Sequence, residues 1–288
     1  MSARVIGHQR ILGRIFAAAA CGLAALVALG GDARAQGRLE AHYVATLSGL
    51  PIGTGNWVIE IGDDKYTAAA SGKTTGLLRI FADGEGTSAS RGAVSHGNLV
   101  PASYASSLTT DKKTEDLRIT LANGNVKDYA IEPPAPPQPD RIPVTEAHRR
   151  GVVDPMSGTL NRVAGTGEML GPAACNNKAS VFDGRMRYDL KLAYKRMDTV
   201  TAAKGYSGHA VVCALYFVPI AGYVPQRKAI KYLVTQRDME VWLVPIAGTR
   251  VMVPFRVSVP TPLGLGVLEA TEFVTTAKPS RAAANKTQ

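Results

Sequence analysis

Strict two-residue alternation recurs along this chain, and it dictates a β-fold more firmly than any other feature of the sequence. Trp57, Ile59 and Ile61 alternate with Asn56 and Glu60, and Leu117, Ile119 and Leu121 alternate with Asp116, Arg118 and Thr120. Met186, Tyr188, Leu190, Leu192 and Tyr194 stand against Arg187, Asp189, Lys191 and Lys195. Successive side chains of a strand point to opposite faces, so each run describes a strand with one buried face. Val251, Val253, Phe255, Val257 and Val259 repeat the pattern, with Pro254 pointing to an edge or irregular strand. Val211 to Val218 is apolar on both faces, as a central strand would be.

Turn residues punctuate these runs: Gly49-Leu50-Pro51, Gly62-Asp63-Asp64, Ser95-His96-Gly97-Asn98, Asn123-Gly124-Asn125 and Asp183-Gly184. Their spacing, roughly 8–15 residues, suits an antiparallel meander of about twelve strands. So many strands form a large curled antiparallel sheet or barrel-like layer, with one or two short helices packed on it. One helical candidate is the turn from Gly76 to Ala82. The better one starts at Asp154-Pro155, where Asp caps and Pro takes the first helical position. Met156, Leu160 and Val163 would then form a stripe facing the sheet.

The first 35 residues have the layout of a secretory leader. Arg4, Arg10 and Arg14 precede a nearly uncharged run, and Ala33-Arg34-Ala35 supplies small residues before Gln36, so cleavage is expected after Ala35. The apolar stretch Ile15–Leu29 is shorter than the roughly 20 residues of a membrane span. Cys21 sits inside this discarded segment. Removal of four arginines and one aspartate brings the net charge from +10 to +7. No block of like charges accompanies that balance, so it describes a solvated surface with some affinity for anionic head groups, and membrane association peripheral at most.

A periplasmic, oxidising destination makes Cys175 and Cys213, the two cysteines left after processing, a disulfide pair. The Pro-rich connector at 132–143 is a crossover within a single β-rich domain, residues 36–277, and the polar tail 278–288 is expected to be disordered. No Gly-x-Ser-x-Gly elbow occurs, and Ser157 lies in the opening turn of the expected helix, where a hydroxyl satisfies backbone groups. His42, His96, His148 and His209 share no metal-binding spacing. The glycines at 84, 86 and 92, and at 264 and 266, lack a following Lys-Ser or Lys-Thr and read as turns and bulges. No cofactor, metal or nucleic acid is expected. In the charged cluster Asp183, Arg185, Arg187 and Asp189, Asp183 and Gly184 make the turn while Arg187 and Asp189 share the outward face of the next strand. Two guanidinium groups there could also grip a carboxylate or phosphate.

Several segments, in order along the chain, resemble a known family. They are Tyr43 to Gly55 (YVATLSGLPIGTG), Ser71 to Leu78 (SGKTTGLL), Ser88 to Arg91 with Pro101 and Tyr104, and Val153-Asp154-Pro155-Met156-Ser157. VFDGRMRYDL (Val181 to Leu190), Cys213, Pro219-Ile220-Ala221-Gly222-Tyr223 and the closing PTPLGLGVLEATEF continue the series. Together they look like the exported bacterial domain-of-unknown-function family 3108. The resemblance implies an exported β-rich envelope protein and brings no catalytic residues, although it makes Asp154, Pro155 and Ser157 family-motif candidates beside Asp183, Arg185 and Arg187. The expectation is therefore a non-catalytic protein that binds an apolar or lipidic ligand or scaffolds an envelope partner. An envelope hydrolase built on Ser157 or an Asp pair, and a purely structural component of an envelope complex, are the alternatives.

Overall fold

In the computed structural model, which describes residues 36–76, 83–111, 113–134 and 136–278, the first seven strands follow one another as an uninterrupted antiparallel meander. They are β1 (Gln36–Leu47), β2 (Leu50–Ile61), β3 (Lys65–Thr74), β4 (Gly84–Ser95), β5 (Asn98–Thr110), β6 (Lys113–Ala122) and β7 (Asn125–Glu132). The second half supplies β8 (Asn161–Arg162), β9 (Lys178–Phe182), β10 (Arg187–Thr201), β11 (Lys204–Gly205) and β12 (Ser207–Ala221). After helix α1 (Lys228–Thr235) come β13 (Glu240–Pro245), β14 (Val251–Thr261) and β15 (Gly264–Lys278). All belong to one 15-stranded sheet with the path β7-β6-β5-β4-β3-β2-β1-β15-β14-β13-β12-β10-β9. The final strand thus pairs with the first and stitches the two halves into one layer. The expected leader, with Cys21, the Gly76–Ala82 turn beyond Gly76 and the tail beyond Lys278 lie outside the described residues.

The alternation places side chains as the period demands. Leu39, Ala41, Trp57, Ile59, Ile61, Tyr66, Ala68, Ile119 and Leu121 share a core with Phe182, Phe255 and Phe273. Phe255 and Phe273 stack with centroids 5.6 Å apart, and Tyr206 closes on both at 6.4 and 5.9 Å. A second, smaller core unites Val163, Ala174 and Cys175 with Val211, Cys213, Val241, Leu243 and Met252. This explains the doubly apolar strand: Val211–Ala214 are buried in β12 because Ala210 and Val212 enter the main core while Val211 and Cys213 enter the second. The Cys175–Cys213 disulfide lies there, with Cα atoms 5.6 Å apart.

Of the two readings of Pro254, the irregular strand holds and the edge does not, since β14 lies between β13 and β15. Its missing N–H falls beside a register shift in the ladder between Trp242 and Leu243, and its carbonyl accepts the Tyr43 hydroxyl at 2.7 Å. A second bulge falls at Arg91/Gly92, as the glycine pattern suggests.

The helix expected from Asp154 does not form. A short 3-10 turn, Ser157–Thr159, is followed at once by β8. The capping chemistry is nevertheless present, because Asp154 Oδ1 accepts the Ser157 N–H at 2.9 Å and the Asp154 carbonyl accepts the Gly158 N–H. What stops propagation is the competition for the next residues: Asn161 and Arg162 pair with Met252 and Val251 as a strand. Met156 and Leu160 fill the main core as expected, whereas Val163 goes to the second core. The real helix, α1, begins at Lys228 and rests on β12.

The sheet does not hydrogen-bond into a closed barrel, since β7 and β9 are its two ends. A strap of chain bridges the gap. Arg150 pairs with Asn125 at the start of β7, the Val152 N–H donates to Gly124, and Val153 pairs with Val181 in β9. The strap then runs on through Asp154 and Ser157 to β14. Tyr129 and Phe182, from β7 and β9, meet edge to face at 5.2 Å beneath it.

Candidate functional site

Because neighbouring strands are antiparallel, their turns gather at two rims. The upper rim carries Gly62–Asp64, His96–Gly97, Asn123–Gly124 and the strap. The lower rim carries Ser48–Gly49, the Asp183–Met186 turn, Ala221–Gly222 and Pro262–Leu263. The motif residues therefore divide, with Asp154, Pro155 and Ser157 above and Asp183, Arg185 and Arg187 below.

Under the strap, four polar side chains meet in the core. Ser157 Oγ donates to Asp154 Oδ2 at 2.6 Å, and the Ser90 hydroxyl, from β4, reaches the same oxygen at 3.0 Å. Ser90 and Ser157 lie 2.9 Å apart, and the Tyr66 hydroxyl, from β3, lies 2.7 Å from Ser157 Oγ. Asp154 is wholly buried, and Ser90, Ser157 and Tyr66 are buried with it. Pro155, half-buried, shapes the turn between the two. Burial pushes the Asp154 carboxyl above its ordinary value, against four hydrogen bonds that favour its charge. Burial likewise moves the Tyr66 phenol up to about 12. Ser90 sits in the Ser88–Arg91 segment of the resemblance, but nothing in the sequence pairs it or Tyr66 with Asp154.

These bonds tie the strap to β3 and β4 as a latch. Ser157 is oriented by a carboxylate, ordinarily a weaker base than the imidazole of the usual nucleophile–base pair. No described histidine hydrogen-bonds to it; the Thr145 N–H donates to His148 Nδ1, and His42 faces Glu272. Among the described residues no cluster of three or more His, Cys, Asp or Glu is placed to hold a metal.

The latch has a pH signature. Raising the folded-state pKa of Asp154 above its unfolded value of about 3.9 means that folding favours the protonated form. Its contribution is therefore most favourable below the unfolded pKa and declines as pH rises through the folded one. Compared with Asp154→Asn, the wild type is expected to lose stability in urea unfolding as pH rises above about 4. A gap that widens in the wild type's favour with rising pH would reverse the assignment.

On the lower rim, Asp183 accepts the Arg185 and Met186 N–H groups at 2.9 and 2.6 Å, and Gly184 takes a positive φ of 83°, making the expected turn. Burial raises the Asp183 carboxyl as well. Arg185 reaches across to Glu115 on β6 at 2.8 Å, joining the two ends of the sheet. Arg187 differs from expectation. It is paired with Asp189 at 2.6 Å, with side chains only 12% and 10% exposed, so this pair is packed rather than displayed outward. Phe182 is the β9 ladder partner of Arg187, and Ser180 and Lys178 of the same strand also contact Asp189.

The same rim presents apolar side chains to solvent. The Ser48 N–H donates to the Leu265 carbonyl at 2.9 Å, and Ser48 Oγ donates to the Leu263 carbonyl at 3.1 Å, locking the β1–β2 and β14–β15 tips together. Leu50 and Leu263 stand 63% and 77% exposed, with Leu265 beside them at 44%.

Similarity to known proteins identifies the family. No curated protein sequence matches the chain significantly. Among solved structures, it is similar to the "Beta-barrel-like Protein of Domain of Unknown Function DUF1849 from Brucella abortus", at 10% identity and a TM-score of 0.42, covering 84% of this chain and 98% of that one. The family described as "Protein of unknown function (DUF3108)" matches residues 40–271, the greater part of the β-sheet, and the chain belongs to that family.

Proposed function

We propose that this is an exported, non-catalytic protein of the bacterial envelope that binds a lipidic surface through its lower rim. The observation that carries this reading is the locked pair of hairpin tips, which leaves Leu50, Leu263 and Leu265 exposed among the described residues. Two hydrogen bonds fix the tips in place, so their exposure carries little conformational cost to a binding event. Pro51 and Pro262, both exposed, stiffen the same turns. The space between the halves of the sheet is filled by Trp57, Tyr66, Phe182, Phe255 and Phe273, which favours a ligand met at the rim over one carried inside. Export with cleavage after Ala35 belongs to this reading, since it would bring the rim to membrane surfaces.

Co-sedimentation of the processed protein with phospholipid vesicles tests it. Burying one leucine is worth about 1.5–3 kcal/mol, so Leu50→Ser with Leu263→Ser is expected to weaken vesicle binding roughly a hundredfold while leaving thermal stability nearly unchanged. Equal binding by wild type and double variant would rule out the rim as the contact.

A further inference from the structure

A cavity of about 420 Å³ opens on the lower rim, where the Pro-rich connector, the Asp183 turn and the segment leading into α1 come together. Its walls hold four cationic side chains, Lys113, Arg141, Arg185 and Arg227, against a single lining carboxylate, Asp183. That carboxylate is turned to its own backbone amides. Outside the lining, Glu115 meets Lys113 at 2.9 Å and Arg185 at 2.8 Å, and so offsets only part of the charge. Arg185 Nε is buried and has no hydrogen-bond partner among the described residues. Among the described residues the Arg141 side chain has only the neutral Gln138 amide, at 3.2 Å, and Arg227 makes no ion pair.

The backbone adds to this field. Arg227 precedes the first turn of α1, and its carbonyl accepts from Ile230 and Lys231 at 3.0 and 3.1 Å. The N–H groups at the start of such a helix lack intrahelical acceptors and favour an anion. Tyr223, Val224 and Ile230 add an apolar part to the lining. Its volume falls within the range of roughly 300–1,000 Å³ usual for small-ligand sites.

We propose that this cavity binds a phosphoryl group, held by the guanidinium groups of Arg141, Arg185 and Arg227. Guanidinium suits this chemistry because its planar fork donates two parallel hydrogen bonds to neighbouring phosphate oxygens. The ligand is either a free phosphate or the phosphodiester of a lipid head group, whose glycerol portion would lie along the apolar part of the lining. The site is separate from the leucine tips, so the inference stands whether or not those tips meet a membrane.

Calorimetric titration with inorganic phosphate, and binding to phosphatidylglycerol vesicles with phosphatidylcholine vesicles as reference, distinguish the two sources. Arg141→Gln with Arg227→Gln is expected to weaken binding at least roughly tenfold, since each removes a charge-assisted contact without stranding a carboxylate. Lys127→Gln, an exposed charge on β7, is expected to change nothing. Arginine-dependent binding of inorganic phosphate assigns the free anion; arginine-dependent preference for phosphatidylglycerol without phosphate binding assigns the head group. The proposal is overturned if the double variant, shown to be folded by circular dichroism, binds both probes as the wild type does. It is equally overturned if Lys127→Gln weakens them as much. Leu50→Ser with Leu263→Ser should leave phosphate titration intact, so failure of the rim reading and failure of this one are separable.

Discussion

Replacing Gly222 with alanine is expected to destabilise the protein by about 2–5 kcal/mol, combining left-handed backbone strain with overpacking. Gly222 holds φ at +79°, and a Cβ there would drive into the carbonyl oxygen of Arg185 and approach the Met186 Cα to 2.8 Å. Both obstacles are backbone, so no side-chain rotation relieves them. The Gly222 N–H also donates to the Ile142 carbonyl at 2.7 Å, and the Ile142 N–H donates to Tyr223 at 2.8 Å, which clips the Pro-rich connector to the end of β12. Moving Gly222 would therefore loosen the connector and the Asp183 turn together, and with them the walls of the basic cavity. Urea unfolding of Gly222→Ala measures the loss. By contrast, Gly49→Ala has open space around its Cβ at φ +81° and serves as the reference for backbone strain alone. Equal costs at the two positions would show that the approach to Arg185 contributes nothing.

Removing the Cys175–Cys213 disulfide, as Cys175→Ala with Cys213→Ala, is expected to cost roughly 4 kcal/mol by loop-closure entropy for a sequence separation of 38. The local consequence is larger than the average one. The loop from Val163 to Cys175 covers Val211, Val241, Leu243 and Met252, and besides the disulfide it is fastened by Asn161, which donates to the Ala174 carbonyl, and by Arg250, which donates to the carbonyls of Val163, Ala164 and Gly167. Without the bridge, these strands should exchange their amide hydrogens faster than the β2–β3 ladder does. A stability change under about half a kcal/mol, the usual scale of a surface substitution, would mean that Asn161, Arg250 and the apolar contacts hold the loop without the bridge.

Local periodicity made most of the strands legible. Trp57, Ile59 and Ile61 are buried as their alternation demands, because a strand's side-chain period is a property of the backbone and needs no tertiary information. The Asp183–Gly184 turn follows for the same reason, from an aspartate that accepts its own downstream amides and a glycine that tolerates positive φ. Asp154 shows where such reasoning stops. Its capping bond to Ser157 is local and was readable, but the helix behind it lost to pairing with Met252, a contact about ninety residues away in sequence. Pro254 gives the converse: a residue that signals an edge or irregular strand by itself is accommodated centrally because a bulge in the neighbouring ladder removes the need for its N–H.

From sequence alone came a curled antiparallel sheet, its turns, the pairing of two cysteines and the residues that mark the family. Only the tertiary structure decided that β15 returns to β1, that a strap rather than a strand spans the gap between β7 and β9, and that Asp154 meets Ser90 and Tyr66 beneath it. It also decided that Arg187 is packed against Asp189 while Arg141, Arg185 and Arg227 share a cavity. The division has one physical cause. Strand and turn preferences arise within a few residues of backbone, whereas closure of a sheet and convergence of charges depend on which distant segments the hydrophobic core brings into contact.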